Sequence, residues 1–479
     1  MKRASCPRSS LDLQRTTAWR IPRAIRLALT VIALLALSSA KAYAQDDAPA
    51  LSPKDYIDGF WVLISAGLVF FMQAGFLAFE IGCVRPKNTV VTALKNLGDW
   101  VIVSLVFFVV GFGLMFGSSD SGLVGVDHFV GPTVTNSTDA FQNVTFFLFQ
   151  LAFCGTAATI VSGAMAERTG FKAYLIFCIV MGAIIYPVFG HWVWGNGMLT
   201  DNKPWLASMG YVDFAGSSVV HCVGAWASLA GIKVVGPRIG RFSKTGESNK
   251  LESNNLAWAV LGVLILWFGW WGFNGGSTLA MNSDVPTIIL NTNLAAAAAA
   301  VMAFVHAQAF QGKRDVEGKM LGGALGGLVA ITACAHVVTP VSAVIIGLIA
   351  GVIHNYAYEF ISDTLFLDDV VGAIAVHGFC GVWGILSVAL FGIADRLPHS
   401  MLTQLGVQAL GCVVCFIWAY GMSYLVFTLV KHMTGIRVLP MREIRGLTLS
   451  HVDDDDDDDD DEGEESVGVD LVAGGSGPV

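Results

Sequence analysis

The sequence predicts an all-α integral membrane protein of eleven transmembrane helices, a five-plus-five inverted repeat plus one closing helix. Three observations carry that prediction. Hydrophobic residues make up 54% of the chain and charged residues 14%, whereas soluble domains carry about 25% charge. The apolar residues gather into eleven stretches near the length of about 20 residues that a bilayer demands. Two of those stretches also share a pattern: Asp, seven residues, His, then Gly and Trp. One runs from Asp213 to His221, with Gly224 and Trp226 behind it; the other runs from Asp369 to His377, with Gly381 and Trp383 behind it.

The first element is a processing segment, 1–44. Arg15, Arg20, Arg23 and Arg26 precede an apolar run from Leu27 to Leu37, which small residues follow as far as Ala42-Tyr43-Ala44. That order is the order of a secretory signal, and the run is too short to span. Cleavage would start the mature chain at Gln45, on the exported side; an uncleaved anchor is the alternative. The spans follow at 57–83, 98–117, 143–166, 171–193, 216–235, 255–275, 286–310, 319–335, 338–360, 370–392 and 403–431. The connections on one side, with the C-terminal tail, hold most loop cations, among them Arg85, Lys87, Arg168, Arg238, Arg241 and Arg437. The other side holds Lys54, Lys203 and Arg396. Positive loops stay cytoplasmic, so the expected orientation is N-out and C-in, which needs an odd number of spans.

The two Asp-x7-His segments are then spans five and ten, which run in opposite directions. Inverted repeats with a site at the repeat interface are a transporter plan. Polar groups in hydrocarbon are costly unless they face protein or a pore, so His221 and His377 read as two halves of one intramembrane site. Small residues at Ala295 to Ala300 and at Gly322, Gly323, Gly326 and Gly327 suit close helix packing. Eight of the nine cysteines fall in or beside apolar stretches and read as packing residues, with no metal site expected and no cofactor. The formal charge of −9 reflects the Asp453 to Asp461 run alone, so it indicates no nucleic-acid partner.

Several motifs together resemble the ammonium transporter (Amt) branch of the Amt/Rh/Mep family. They are QAGFLAFEIGCVRPKN from Gln73 with Lys95 and Asn96, FQLAFCG from Phe149, AMAER, and HWVWGNG from His191. DFAGSSVVH, WFGWWGFNGGS and DDVVGAIAVHG complete the set, in the family's order, over residues 55 to 435. The resemblance implies a membrane domain over 45–435 with a pore in each subunit of a homotrimer. It implies ammonium recruitment at Phe149, Trp194 and Ser277, a phenylalanine gate at Phe153 and Phe273, and a twin-His pore at His221 and His377. Asp213 would be the supporting carboxylate. Expected partners are ammonium or ammonia, with methylammonium as analogue, the lipid bilayer of the plasma or inner membrane, and a PII-type cytoplasmic regulator. The segment 436–479 is expected to be a cytoplasmic tail, disordered from 453 on account of its acidic run.

Chemistry supports the same roles. Aromatic faces and a hydroxyl suit a small cation bearing N–H groups, and facing imidazoles can act as donor, acceptor and proton relay. Blander readings stand beside these. Asp213 suits a helix N-cap, Ser277 a satisfied backbone turn, and Trp270 and Trp271 packing; His191, His306, His336 and His354 suit helix–helix or interfacial hydrogen bonds. Two other functions remain open on sequence. One is an ammonium sensor with little net transport; the other is a membrane metalloenzyme, disfavoured because neither histidine has a nearby companion ligand.

Overall fold

The computed structural model describes residues 50–448, apart from 133, 135, 136, 198, 199, 244–246, 313 and 314. The expected signal segment and the acidic run lie outside the described residues. The helices are α1 Pro53–Cys83, α2 Pro86–Phe116, α3 Ser137–Ala164, α4 Phe171–Trp194, α5 Ser217–Val235 and α6 Leu256–Gly276. They continue as α7 Val285–Phe310, α8 Val316–Thr332, α9 Pro340–Thr364, α10 Ile374–Phe391, α11 Met401–Thr434 and the short α12 Pro440–Arg445. Among the described residues ten helices are long and apolar enough to cross a membrane. The expected eighth span forms α8, which has 17 residues and is buried from Gly322 to its end. No strand is present among the described residues; two isolated bridges join Thr169 to Arg437 and Phe242 to Ser248.

Local chemistry sets the helix starts. Ser52 and Asp55 close a capping box ahead of α1, Asn255 caps α6 through Ala257 N–H, and Thr339 caps α9 through Ser342 N–H. Prolines stand just inside α1 and α9, where a missing N–H costs nothing. The apolar side chains then have two destinations. Phe60, Leu105, Phe310, Leu402 and Ile417 stay exposed on the outside, where lipid or another apolar surface would cover them. The rest pack inward, and glycines set the spacing. A Cβ on Gly262 of α6 would lie 2.7 Å from Gly75 O of α1, and one on Gly327 of α8 would lie 2.5 Å from Ala295 O of α7. Such backbone approach is how helices gain contact without a hydrophobic driving force.

The packing repeats. The α1–α3, α2–α3, α2–α4 and α3–α5 contacts have counterparts in α6–α8, α7–α8, α7–α9 and α8–α10, while α11 closes against α5 and α10. The backbone repeats too. Both α5 and α10 open as π-helix, at Ser217–Cys222 and Ile374–Phe379, and π-turns also occur at Met181–Ile185 in α4 and Phe360–Thr364 in α9.

Cys83, Leu256, Gly318, Tyr358 and Asp369 line one cavity of ≈ 780 Å³, so these ends of α1, α6, α8, α9 and α10 share a face. Trp194 and Ser277 stand at the opposite ends of α4 and α6, with Asp213 ahead of α5. On the cavity face an ion-pair network joins the loops. Glu167 binds Arg85 and Arg238, and Arg238 also binds Asp368 at 2.8 Å. The chain after α11 docks on this network. Arg437 pairs with Glu443 at 2.8 Å, Lys87 donates to Glu443 O, and Leu447 N–H donates to the Asn88 side chain.

Candidate functional site

The Asp-x7-His pattern is a geometric device. After Asp213 the backbone turns through Gly216 at φ 111°, in the left-handed region that glycine tolerates. The first N–H groups of α5 then point back at the aspartate. Its Oδ1 accepts Gly216 and Ser217 N–H at 3.0 and 2.8 Å; its Oδ2 accepts Ser218 and Val219 N–H at 2.8 and 3.0 Å and the Ser218 hydroxyl at 2.7 Å. Burial works to raise the Asp213 carboxyl above the usual range, and these donors oppose it. The wide turn that follows places His221 in the interior. In the second half Asp369 Oδ2 accepts Ile374 N–H at 2.7 Å, and the wide turn carries His377.

The two imidazoles meet. Their Nδ1 atoms stand 3.1 Å apart, and the rings are 5.1 Å apart at 16°. A contact of that length needs one proton between the two nitrogens, so one ring donates and the other accepts. Both residues are buried.

Above the histidines stands a column of aromatic rings. Phe273 lies 5.3 Å from His221, Phe153 stacks on Phe273 at 4.1 Å, and Phe149 and Trp194 flank Phe153 at 4.6 and 6.1 Å. The Trp194 indole N–H donates to Asp213 O at 2.7 Å. Asp213 therefore serves both ends, its carboxylate shaping the turn before His221 and its carbonyl orienting the tryptophan. Ser277 donates its hydroxyl to Phe273 O at 2.8 Å, which leaves its oxygen lone pairs as acceptors. Phe149 and the Ser277 turn abut, since a Cβ on Gly276 would lie 2.8 Å from the Phe149 ring.

All eight residues singled out in the sequence thus belong to one column or its supports. Two supporting residues escape the sequence reading. Trp270, read there as packing, stacks on His221 at 5.0 Å and 19° while its N–H donates to Thr332 at 2.9 Å. Phe76 holds the corresponding place beside His377, at 6.3 Å. The helical spacing of three from Phe273 to Trp270 was the available signal. The four other histidines singled out in the sequence bridge helices or stack: His191 Nδ1 lies 2.8 Å from Met115 O, Asn355 links His306 and His354, and His336 stacks on Phe214 at 4.1 Å. No group of three or more potential metal ligands occurs among the described residues.

Fold and site together define a multi-pass membrane protein whose halves meet at a buried imidazole pair beneath stacked aromatic rings. Residues 60–456 match the Ammonium Transporter Family, and the chain belongs to that family. It is 40% identical over 443 residues to the ammonium transporter Amt2 of Archaeoglobus fulgidus, covering 89% of this chain and 94% of that one. Among solved structures, the Sensor Amt Protein is similar at 46% identity and TM-score 0.80, covering 83% of this chain and 98% of that chain. Mep2 of Candida albicans is similar at 27% identity and TM-score 0.72, covering 80% and 87%. The relatives are named as transporters or a sensor, and the family is not one of enzymes.

Proposed function

We propose that this protein transports ammonium through a pore in each chain, and the continuous column from Trp194 to His377 is the observation that carries the reading. Ammonium is recruited between Phe149, Trp194 and the Ser277 oxygen. Cation–π attraction supplies about 2 kcal/mol when desolvated. A full charge in hydrocarbon costs about 2.5–3.5 kcal/mol on insertion scales and far more in simulation. The aromatic site therefore holds the cation but cannot carry it past the stacked Phe153–Phe273 pair, and the substrate gives up its proton there to water of the outer vestibule. Neutral ammonia then meets the neutral His221–His377 pair, which can exchange hydrogen bonds with it and relay a proton. Potassium has no proton to surrender and is excluded.

Eleven spans with the tryptophan face outside and the cavity face in the cytoplasm fit the cations on the latter, including Arg85, Lys87, Arg168 and Arg238. A homotrimer in the plasma or inner membrane, and a PII-type regulator on the docked tail, are parts of the same proposal. Expression should restore growth of an uptake-deficient strain on low ammonium and give an ammonium-evoked current. Absence of both in correctly inserted protein overturns the reading.

A second reading, a sensor with little net transport, is favoured by the 46% identity to the Sensor Amt Protein. Methylammonium binding to proteoliposomes without flux would select it.

A further inference from the structure

The acidic run Asp453–Asp461 is a motif that neither the aromatic column nor the ion-pair network uses. It begins five residues after Thr448, where the described chain ends beside the α1–α2 loop. There Leu447 N–H donates to the Asn88 side chain at 3.0 Å. The surface around that docked tail decides what such a run meets.

Four exposed cations surround the tail: Lys172 at the start of α4, Lys233 and Lys431 in the last turns of α5 and α11, and Arg445 on α12. The three helix ends share one place. Phe177 of α4 stacks on Phe427 of α11 at 4.1 Å, and a Cβ on Gly231 of α5 would lie 3.0 Å from the Phe427 ring. Each lysine lies within about 8 Å of helix rise from that contact. The tail runs beside Lys172, since Gly170 N–H donates to Ile436 O and Val438 N–H to Arg168 O, both at 3.0 Å. None of the four cations makes an ion pair among the described residues.

The charge beneath them has the same sign. Glu167, Asp368 and Glu443 are already taken by Arg85, Arg238, Arg241 and Arg437. The buried Arg168 guanidinium donates only to backbone oxygens, those of Ala164, Ala166, Gly236 and Asp368. Other acids of this face, Glu247, Asp315, Glu359 and Asp363, line the cavity instead. The surface around the tail thus lacks anions, and the chain carries a run of them a few residues away.

Reach permits the contact. Ile436 lies at most about 25 Å from Leu447, the sum of the short α12 and its extended flanks. Extended chain covers about 3.5 Å per residue, so Asp453 can reach about 18 Å from Thr448 and Asp461 about 45 Å. Single exposed ion pairs are weak, but many on one tether act at high effective concentration.

We propose that Asp453–Asp461 docks across Lys172, Lys233, Lys431 and Arg445 of the same chain, an electrostatic strap that clamps the α12 segment to the helix ends. The strap excludes other anions, lipid headgroups among them, from this surface. It does not depend on flux, so it stands or falls separately from the transport reading.

Zero-length carbodiimide cross-linking of the full-length protein in zwitterionic nanodiscs tests the strap, because an amide forms only where a carboxylate meets an amine. Mass spectrometry should find the run joined to Lys172, Lys233 or Lys431 at about 10 mM salt, where the Debye length is about 30 Å. The links should disappear at about 1 M, where that length is about 3 Å. Replacing every aspartate of the run by asparagine should abolish the links and raise hydrogen exchange across 436–448 severalfold at neutral pH. The combined variant K172Q, K233Q and K431Q, altered only at exposed side chains, should raise it likewise. Absence of the links at low salt, equal linking to Lys250 on the cavity wall, or unchanged exchange in both variants overturns the strap. Loss of the links once anionic lipid is included assigns the lysines to headgroups and overturns it too. Co-expression of a copy lacking the lysines with a copy lacking the aspartates should give no link. A link there places the run on a neighbouring chain and overturns the assignment to one chain.

Discussion

His221 and His377 show how little a residue's identity says without its neighbours. Each ring is held by a flat partner and by the other imidazole, so each substitution has a defined expectation. His221→Ala or His377→Ala breaks the 3.1 Å contact and should change methylammonium flux or the ammonium-to-potassium selectivity in proteoliposomes. Unchanged values in both variants would remove the pair from the mechanism. Thr332→Val leaves the buried Trp270 N–H without its acceptor. An unsatisfied buried donor costs about 1–3 kcal/mol, so thermal unfolding of the variant should show destabilisation of that order. The freed indole should also perturb His221, read as reduced transport at unchanged expression.

At the scale of elements, the wide turns opening α5 and α10 are the functional unit. A π-turn interrupts the regular ladder and re-aims side chains, and such turns are frequent at functional sites. Gly216 makes the first one possible, at φ 111°. An alanine there meets the left-handed penalty of about 1–2 kcal/mol. Its Cβ would also lie 2.7 Å from Val220 and 3.1 Å from the Trp194 ring. Gly216→Ala should therefore lower stability by at least that amount and raise KM for ammonium through displacement of Trp194. A variant with wild-type melting and wild-type KM would contradict the role given to this turn. None of this turn geometry is legible in the motif. The eight-residue offset from Asp to His exceeds two α-helical turns, yet a spacing alone does not distinguish a long helix from a loop followed by a π-turn.

For the whole molecule, the cavity-face network ties loop, helix and tail into one unit. Burial works to raise Glu167 and Asp368, but Arg238 and its neighbouring arginines hold both carboxyls below the usual range. A depressed carboxyl stabilises the folded state above its unfolded pKa, about 4, and that contribution is lost as pH falls below it. Hydrogen-exchange protection across 436–448, taken relative to the intrinsic rate at each pH, should accordingly be high at neutral pH and fall below about pH 4. Glu167→Gln should bring faster exchange to neutral pH, because it removes the anion that joins Arg85 to Arg238. Slow exchange retained in the variant would show that the tail docks independently of this network.

Hydropathy, helix positions and the repeated Asp-x7-His segments are local or periodic properties, and they were readable from the chain alone. His221 and His377 could be named because imidazoles in matched apolar settings are conspicuous, whereas Phe149, Phe153, Trp194 and Phe273 were named through motifs that resemble the Amt family. The sequence by itself determined the all-helical class, the repeated Asp-x7-His segments and the identity of the groups able to handle a cation and a proton. Only the tertiary structure decided which nitrogens meet and which ring covers which. The reason is physical: hydrophobicity and helical period act over a few neighbouring residues. A hydrogen bond or ring stack between residues 156 positions apart exists only once helix packing has fixed their separation to tenths of an ångström.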